Sequence, residues 1–193
     1  TASDLLVADP DATARAIGER VDEPAPDGWP ERFSEAERAH WETVDSALAG
    51  RYWEGGVLAD VTALAPDSAT VFVSNSMPVR DLDRFGRPRR ADLTVLGNRG
   101  ASGIDGITST ALGAGSATDD PLVLVTGDLA YYPDMNGLLA LSRCGVDATI
   151  VLVDNDGGGI FHMLPIEDHE TFESQFKTPH GLDFEPTGEL YGL

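Results

Sequence analysis

The sequence contains little cysteine and no long apolar run, and both shortages exclude classes of protein. Cys144 is the only cysteine among 193 residues, which rules out a disulfide within the chain and a metal cluster held by several cysteines. A lone cysteine is typical of a reducing compartment, so we predict a cytoplasmic location. No apolar run reaches the length of about 18 residues that a membrane-spanning helix needs, and we expect no membrane span.

Basic residues are also scarce. Lysine and arginine together number 13 against 33 aspartates and glutamates, Lys177 is the one lysine, and the formal net charge is −20. Such a surface repels phosphate, which excludes nucleic acid as the expected partner. The acidic residues are spread along the chain instead of forming runs. This distribution favours a hydrated surface adapted to concentrated salt, as in a halophile, over a surface that binds cations or a basic partner.

The first part of the chain has the pattern of helices joined by a linker. The stretch from Glu23 to Pro30 is rich in proline, which is typical of linkers. After it, Ser34 and Glu37 stand at the S-x-x-E spacing of a capping box, and a helical apolar period continues until Gly50. A second helix is predicted from about residue 52 to residue 64. These features place a domain boundary between residues 24 and 50.

The rest of the chain has the pattern of an α/β fold. Four short apolar runs are continuous instead of alternating, which is typical of strands that are buried on both faces of a parallel sheet. They are VFVS (71–74), LTVL (93–96), LVLV (122–125) and TIVLV (149–153). Helical segments separate the later runs, and Gly145 closes the last of these segments. We therefore predict a doubly wound, mostly parallel sheet with flanking helices.

A polar, glycine-rich loop directly follows each predicted strand. The loops are SNSMPVR (74–80), GNRGASGIDG (97–106), GDLAYYPDMNG (127–137) and DNDGGGIF (154–161). Glycine, asparagine and aspartate also end strands for purely structural reasons. The carboxyl ends of parallel strands, however, lie at one edge of the sheet, where ligands bind. Four such loops in succession therefore predict one site at that edge.

Asp128 and Asn155 are the clearest candidate ligands for a metal ion. They follow the third and fourth predicted strands and lie 27 positions apart. Carboxylate and amide oxygens suit Mg²⁺ or Ca²⁺, and Mg²⁺ commonly completes its shell with phosphate oxygens and water. The neighbouring glycines allow backbone N–H and C=O groups to approach a diphosphate or the metal without a Cβ clash. This spacing of GD and N resembles the thiamine-diphosphate binding fingerprint.

Longer motifs carry a closer resemblance. SNSMPVRD, GNRGASGIDG, GDLAYYPDMNGLL, DNDGGGIFHMLP and FKTPHGLDF together resemble the C-terminal part of the 2-succinyl-5-enolpyruvyl-6-hydroxy-3-cyclohexene-1-carboxylate synthases, the thiamine-diphosphate enzymes of menaquinone synthesis. The resemblance extends from about Trp53 to Leu193 and implies the thiamine-diphosphate-binding fold. It also implies that residues 51–193 are the diphosphate-binding domain, truncated at its C-terminus, and that residues 1–50 are the tail of the middle domain with a linker helix.

The resemblance implies thiamine diphosphate as the cofactor and Mg²⁺, or Mn²⁺, as the metal. The implied metal ligands are the side chains of Asp128 and Asn155 and the backbone carbonyl of Gly157. The implied cofactor site comprises Gly127, Asp128, Leu129, Asn155, Gly157, Gly158, Ile104, Ile160 and Phe161. The chain departs from the general GDG fingerprint at Leu129, and it has Asp154 where many relatives have asparagine. Neither departure removes a metal ligand, although Asp154 adds a negative charge.

Apolar residues beside the loops have implied roles as well. By resemblance, Ile104 holds the cofactor in its bent shape, and Ile160, Phe161 and Leu164 form an apolar wall over the site. The alternative for each of them is ordinary core packing.

The family's substrates, 2-oxoglutarate and isochorismate, are dianions, so an acidic chain must supply local cations. By resemblance, Ser76, Arg80, Arg99 and Leu164 form the substrate side of the site. Arginine matches a carboxylate with two hydrogen bonds, whereas the alternative for an arginine after a strand is a surface ion pair. His162 invites a general-base role, but the resemblance assigns it none.

The implied enzyme is a transferase. It decarboxylates 2-oxoglutarate and adds the succinyl-semialdehyde unit to isochorismate. In the family the site lies between subunits of a homo-oligomer, a dimer or tetramer, and its catalytic glutamate belongs to a pyrimidine-binding domain that this sequence does not contain. We therefore expect no catalytic residue in this chain and no synthase activity from the chain alone. The alternatives are another thiamine-diphosphate enzyme of the acetolactate-synthase kind, a non-catalytic module that binds Mg²⁺ and a diphosphate, and a segment that only assembles subunits.

Overall fold

The computed structural model describes residues 3–23 and 25–193. The chain divides into two compact units, residues 1–49 and residues 50–193. The predicted linker includes Pro24, which lies outside the described residues. Among the described residues, no helix combines the length and the apolar character needed to cross a membrane.

The first unit contains two helices within its described residues. Helix α1 covers Pro10–Gly18 and helix α2 covers Trp29–Leu48. Asp9 caps α1, because its side chain accepts a hydrogen bond from the Ala12 N–H at 2.7 Å. The sequence pattern does not predict α1.

The predicted start of the long helix is wrong. Helix α2 begins at Trp29, so Ser34 and Glu37 lie inside it and form no capping box at its end. Pro30 explains the earlier start, because its fixed φ suits the first turn of a helix, where its missing N–H has no partner to lose. The proline-rich connection accordingly ends at Gly28, which has a φ of 74°.

The second unit is built around a parallel sheet. Its strands are β1 (Thr70–Val73), β2 (Thr94–Leu96), β3 (Leu122–Gly127) and β4 (Ala148–Val153). The order across the sheet is β2-β1-β3-β4, and each neighbouring pair is parallel. The predicted α/β fold with a parallel sheet and flanking helices is confirmed.

Helices flank the sheet and connect its strands. They are α3 (Glu54–Leu64), α4 (Met77–Phe85), α5 (Ile107–Gly115), α6 (Asp128–Tyr131), α7 (Leu139–Cys144) and α8 (Glu185–Tyr191). Shorter 3₁₀ segments cover Tyr132–Leu138, Gly159–Met163 and Pro165–Asp168, and a π-helical turn covers Glu173–Lys177. The second predicted helix thus begins two residues late, at Glu54, and ends at Leu64 as expected.

Apolar clusters cover both faces of the central strands. Side chains of β3 alternate between the faces, so that Val123 and Val125 join the cluster containing Leu58 of α3, and Leu124 joins the cluster containing Leu112 of α5. This two-sided burial explains why β3 has a continuous apolar sequence. Because the central strands are packed on both faces, they position the loops that follow them.

Two local predictions about this unit are wrong. The strands are not all buried on both faces, because β2 lies at one edge of the sheet and is exposed, with Val95 at 50%. Strand β4, at the other edge, is only partly buried. The single helix predicted between β3 and β4 is instead divided into α6, a 3₁₀ segment and α7. Pro133 explains the break, because it has no N–H to continue the helical hydrogen bonds and its ring crowds the preceding turn.

Candidate functional site

The parallel register brings the ends of the strands to one edge of the sheet, where the four following loops line a cleft. The cleft takes Asn75 and Ser76 from the loop after β1, Ile104 from the loop after β2, Asp128 from the end of β3 and Asn155 from the end of β4. It contains about 770 Å³ of empty space, open solvent included. Asn75 also joins two of the loops, since its Nδ2 donates to the Gly103 carbonyl at 2.7 Å.

Asp128 is buried at the head of the cleft, with 3% of its surface exposed. Its Oδ1 accepts the Leu129 N–H at 2.7 Å, and its Oδ2 accepts the Gly157 N–H at 2.7 Å. His180 Nε2 lies 3.0 Å from the same Oδ2. A carboxylate has about four lone-pair sites. The described donors therefore fix the carboxylate and leave an acceptor site on Oδ1 for a cation.

The Asn155 amide is held at one end only. Its Nδ2 donates to Glu54 Oε1 at 2.8 Å, while its backbone carbonyl accepts a hydrogen bond from the Lys177 ammonium. Its Oδ1 is buried and has no hydrogen-bond partner in the described part of the chain. A buried acceptor without a partner is costly, so such an atom in a cleft points to a missing ligand.

The glycines after Asn155 pack directly against the segment that contains Lys177. Gly157 has a φ of 124°, and a Cβ atom there would collide with the Lys177 carbonyl. Gly158 donates its N–H to that carbonyl at 2.7 Å, and Gly159 donates its N–H to the Gly157 carbonyl at 2.9 Å. The Gly157 N–H is engaged by Asp128, as described above. The glycines therefore allow two backbone segments to pack closely, and the N–H groups of all three have partners within the described part of the chain.

His180 belongs to the same site, although the spacing of GD and N does not indicate it. Its Nδ1 accepts the Leu182 N–H at 3.0 Å, so Nε2 carries the ring proton and donates to Asp128. The carboxylate of Asp156 accepts the N–H groups of Gly181 and His180, both at 2.8 Å. These two hydrogen bonds, that from Gly181 first, lower the pKa of Asp156. The sequence feature that could have indicated His180 is its position inside the FKTPHGLDF motif.

The apolar candidates separate into two groups. Ile104, Leu129, Ile160 and Phe161 all line the cleft. Leu164 does not line it and is 50% exposed. The structure therefore brings four of the five apolar candidates together.

The polar substrate candidates separate in the same way. Ser76 lines the cleft and has a φ of 72°, a strained conformation for a residue other than glycine. Arg80 is exposed, and its Nη1 donates to the Ser76 carbonyl at 2.6 Å. Arg99 is exposed, and neither arginine lines the cleft.

Two further carboxylates lie in the cleft wall. Glu54 and Asp81 both line the cleft, and Asp81 is buried. Burial first, and the charge of Glu54 second, raise the pKa of Asp81 to about 6 against the opposing charge of Arg84. Asp81 is the last residue of the SNSMPVRD motif, whereas none of the quoted motifs contains Glu54.

The donor set at the head of the cleft fits a magnesium ion. It offers the remaining site on Asp128 Oδ1, the Oδ1 of Asn155, which has no partner among the described residues, and the second lone pair of the Gly157 carbonyl, all hard oxygen atoms. Asp128, Asp154 and His180 also present ligand atoms within 4.8 Å of one another. Asp128 is common to both groups, so they describe one region and not two sites.

No known protein-family model matches the chain. Individual proteins do match it over its whole length. The chain is 73% identical over 193 residues to a 2-succinyl-5-enolpyruvyl-6-hydroxy-3-cyclohexene-1-carboxylate synthase of Haloarcula marismortui and covers 33% of that protein. It is 64% identical to the protein of the same name from Natronomonas pharaonis, of which it covers 32%. A third protein of that name, from Roseiflexus castenholzii, is 51% identical over 99% of the chain. The chain thus spans about a third of the length of these relatives.

Solved structures share the fold at much lower identity. A benzoylformate decarboxylase from Polynucleobacter necessarius matches 75% of the chain with a TM-score of 0.58 and 19% identity, over 28% of its own length. A putative thiamin diphosphate-dependent enzyme from Mycobacterium smegmatis matches 72% with a TM-score of 0.51 and 17% identity, over 25% of its length. These similarities show the fold of thiamine-diphosphate enzymes.

Proposed function

Because the chain belongs to the family of 2-succinyl-5-enolpyruvyl-6-hydroxy-3-cyclohexene-1-carboxylate synthases, of whose length it spans about a third, we propose that it provides the part of such a synthase that binds the diphosphate of thiamine diphosphate. One observation carries this proposal. The cleft contains both the buried carboxylate of Asp128 and the buried Oδ1 of Asn155, an atom for which the described residues offer no hydrogen-bond partner. Residues 51–193 form the proposed diphosphate-binding domain.

The residues of the cleft have distinct proposed tasks. Asp128, Asn155 and the Gly157 carbonyl would hold Mg²⁺, and the ion would supply positive charge for the diphosphate. Ile104 and Ile160 supply apolar surface for the cofactor, together with Gly127, Leu129, Gly158 and Phe161. The bound cofactor supplies the electron sink for decarboxylation, and the chain supplies position and charge.

The proposed substrates of the whole synthase are 2-oxoglutarate and isochorismate, joined in a transferase reaction of menaquinone synthesis. Ser76, Arg80, Arg99 and Leu164 stay proposed contacts on the substrate side. Arg80 and Arg99 support this role by their type, since arginine binds carboxylates with two hydrogen bonds. The two arginines and Leu164 lie outside the cleft lining, so the proposal requires that the remaining part of the site bring substrate to them.

The proposal extends to the setting of the enzyme. A homo-oligomer completes the site, and the 193-residue chain alone turns over no substrate, because the resemblance assigns the catalytic glutamate to a pyrimidine-binding domain. The lone Cys144 supports a cytoplasmic location. The acidic surface supports function in concentrated salt.

Two measurements test the proposal. Calorimetry of the 193-residue chain with Mg²⁺ and thiamine diphosphate should show binding that requires both ligands together and that Asp128→Ala abolishes. A chimeric synthase that carries this chain in place of the matching third of the Haloarcula marismortui protein should consume isochorismate when 2-oxoglutarate is present. An inactive chimera that folds and still binds both ligands would contradict the synthase assignment. It would favour the alternative of a non-catalytic module that binds Mg²⁺ and a diphosphate.

A further inference from the structure

Glu54 lies in the cleft wall next to a proposed metal ligand, yet it belongs to none of the four loops. It is the first residue of α3, and its Oε1 lies 2.8 Å from Nδ2 of Asn155, 101 positions later in the chain. The start of α3 is tightly packed, because the rings of Trp53 and Phe85 lie edge to face at 4.7 Å and leave no room for a Cβ atom on Gly55. The backbone that carries Glu54 is therefore fixed.

The Asn155 side chain can face the metal in two orientations that differ by a half-turn. An amide has a donor end and an acceptor end, and only the acceptor, Oδ1, can bind a cation. A carboxylate accepts hydrogen bonds and donates none when it is ionised. Glu54 therefore selects the orientation in which Nδ2 faces it. In the reversed orientation, Oδ1 of Asn155 would face a carboxylate oxygen of Glu54, and the two acceptors would repel each other. The N–H groups of the amide would then face the metal.

The observed arrangement agrees with this selection. With Nδ2 on Glu54, Oδ1 points away from it, and this is the buried atom that has no partner in the described part of the chain. The backbone of Asn155 is held independently, because its carbonyl accepts a hydrogen bond from Lys177. The amide rotation is thus the remaining freedom, and Glu54 removes it.

We infer that Glu54 is a positioning residue that orients the Asn155 amide so that Oδ1 binds the divalent cation. This inference rests on the proposed function, because it requires that the cleft bind a metal. Glu54 itself makes no bond to the metal. Its role differs from that of a general negative charge near the site, since it acts through the direction of one hydrogen bond.

The test compares Glu54→Gln with a variant in which the two side-chain types are exchanged, Glu54→Gln with Asn155→Asp. Glutamine can donate as well as accept, so Glu54→Gln permits the reversed amide. We expect its affinity for Mn²⁺, titrated by electron paramagnetic resonance at saturating thiamine diphosphate, to fall about 10- to 100-fold. In the exchanged variant, the new amide at position 54 donates to one oxygen of the new carboxylate at position 155. The other carboxylate oxygen then faces the metal, so most of the affinity should return.

Asp81→Asn is the matched control, because it neutralises another carboxylate of the same cleft. Within the described residues, the Asn155 side chain donates to Glu54 and not to Asp81. The effect of Asp81→Asn on Mn²⁺ affinity should therefore be clearly smaller than that of Glu54→Gln. Circular dichroism of each variant shows whether the chain is folded.

The outcomes separate the inference from the proposed function. Unchanged Mn²⁺ affinity in Glu54→Gln would overturn the inference alone. An equal loss in Asp81→Asn, or no recovery in a folded exchanged variant, would overturn it as well, because charge or packing would then explain the loss. Absence of Mn²⁺ binding by the unsubstituted chain would overturn both the inference and the proposed function.

Discussion

The imidazole Nε2 of His180 lies 3.0 Å from Oδ2 of Asp128, although the two residues are 52 positions apart in the chain. Because Nδ1 accepts the Leu182 N–H, the ring presents its proton to the carboxylate. The hydrogen bond therefore joins the segment after the π-helical turn to the proposed metal ligand.

Removal of this hydrogen bond should destabilise the second unit. His180→Ala leaves Asp128 buried with one donor fewer, and a hydrogen bond to a charged group contributes about 1.5–3 kcal/mol. The control is His162→Ala, since His162 forms an exposed pair with Glu167 at 2.8 Å, and exposed pairs contribute about 0–1 kcal/mol. Urea unfolding of the 193-residue chain measures both. Equal losses in the two variants would contradict a specific role for His180.

Gly157→Ala should be among the more damaging single substitutions in the chain. A Cβ atom at this position would collide with the Lys177 carbonyl, and the φ of 124° is unfavourable for alanine. We expect a loss of at least about 2 kcal/mol in the free energy of unfolding. Gly113→Ala is the matched control, because Gly113 lies in α5 with no atom within 4 Å of a new Cβ. That change should stabilise the helix by about 0.5–1 kcal/mol. A thermal shift of the same sign in both variants would refute the prediction.

The part of the site that sequence alone could predict is the part that follows strands. Asp128 and Asn155 could be expected to meet because each lies within two residues of a strand end, and the two strands are neighbours in the sheet. Glu54 and His180 could not be expected there, because they come from a helix start and a late loop whose positions depend on packing. Motif spacing carries no information about such tertiary contacts.

The same distinction holds for the fold. Apolar runs predicted all four strands, because burial requires such runs in a parallel sheet. They did not show that β2 is an exposed edge, since the order of strands depends on how distant segments pack. The break at Pro133 could have been predicted from the sequence, because a proline inside a helix removes a backbone hydrogen bond and destabilises the helix.

Asp81 should make the stability of the second unit depend on pH. Its pKa is raised from 3.8 to about 6, so the folded chain binds a proton more tightly than the unfolded chain. Its contribution to stability is therefore fully present below about pH 4 and is lost as the pH rises through about 6. Asparagine does not titrate, so Asp81→Asn removes this pH dependence. The free energy of unfolding of the variant, relative to that of the unsubstituted chain, should therefore rise by about 1–3 kcal/mol from acidic to neutral pH. Urea unfolding at a series of pH values measures the difference, and parallel pH profiles would contradict it.

Concentrated salt should stabilise the chain because most of its charged residues are negative. With a net charge of −20, the compact state brings acidic groups closer together than the unfolded state does. The screening length falls from about 10 Å at about 0.1 M salt to about 3 Å at about 1 M, which removes most of this repulsion. We therefore expect the thermal midpoint to rise steadily with KCl over this range. A variant with Asp83→Asn, Asp119→Asn and Asp147→Asn, three exposed positions, carries less charge and should respond less steeply. If the variant and the unsubstituted chain gain equally from KCl, the stabilisation does not come from charge screening, and the acidic composition needs another explanation.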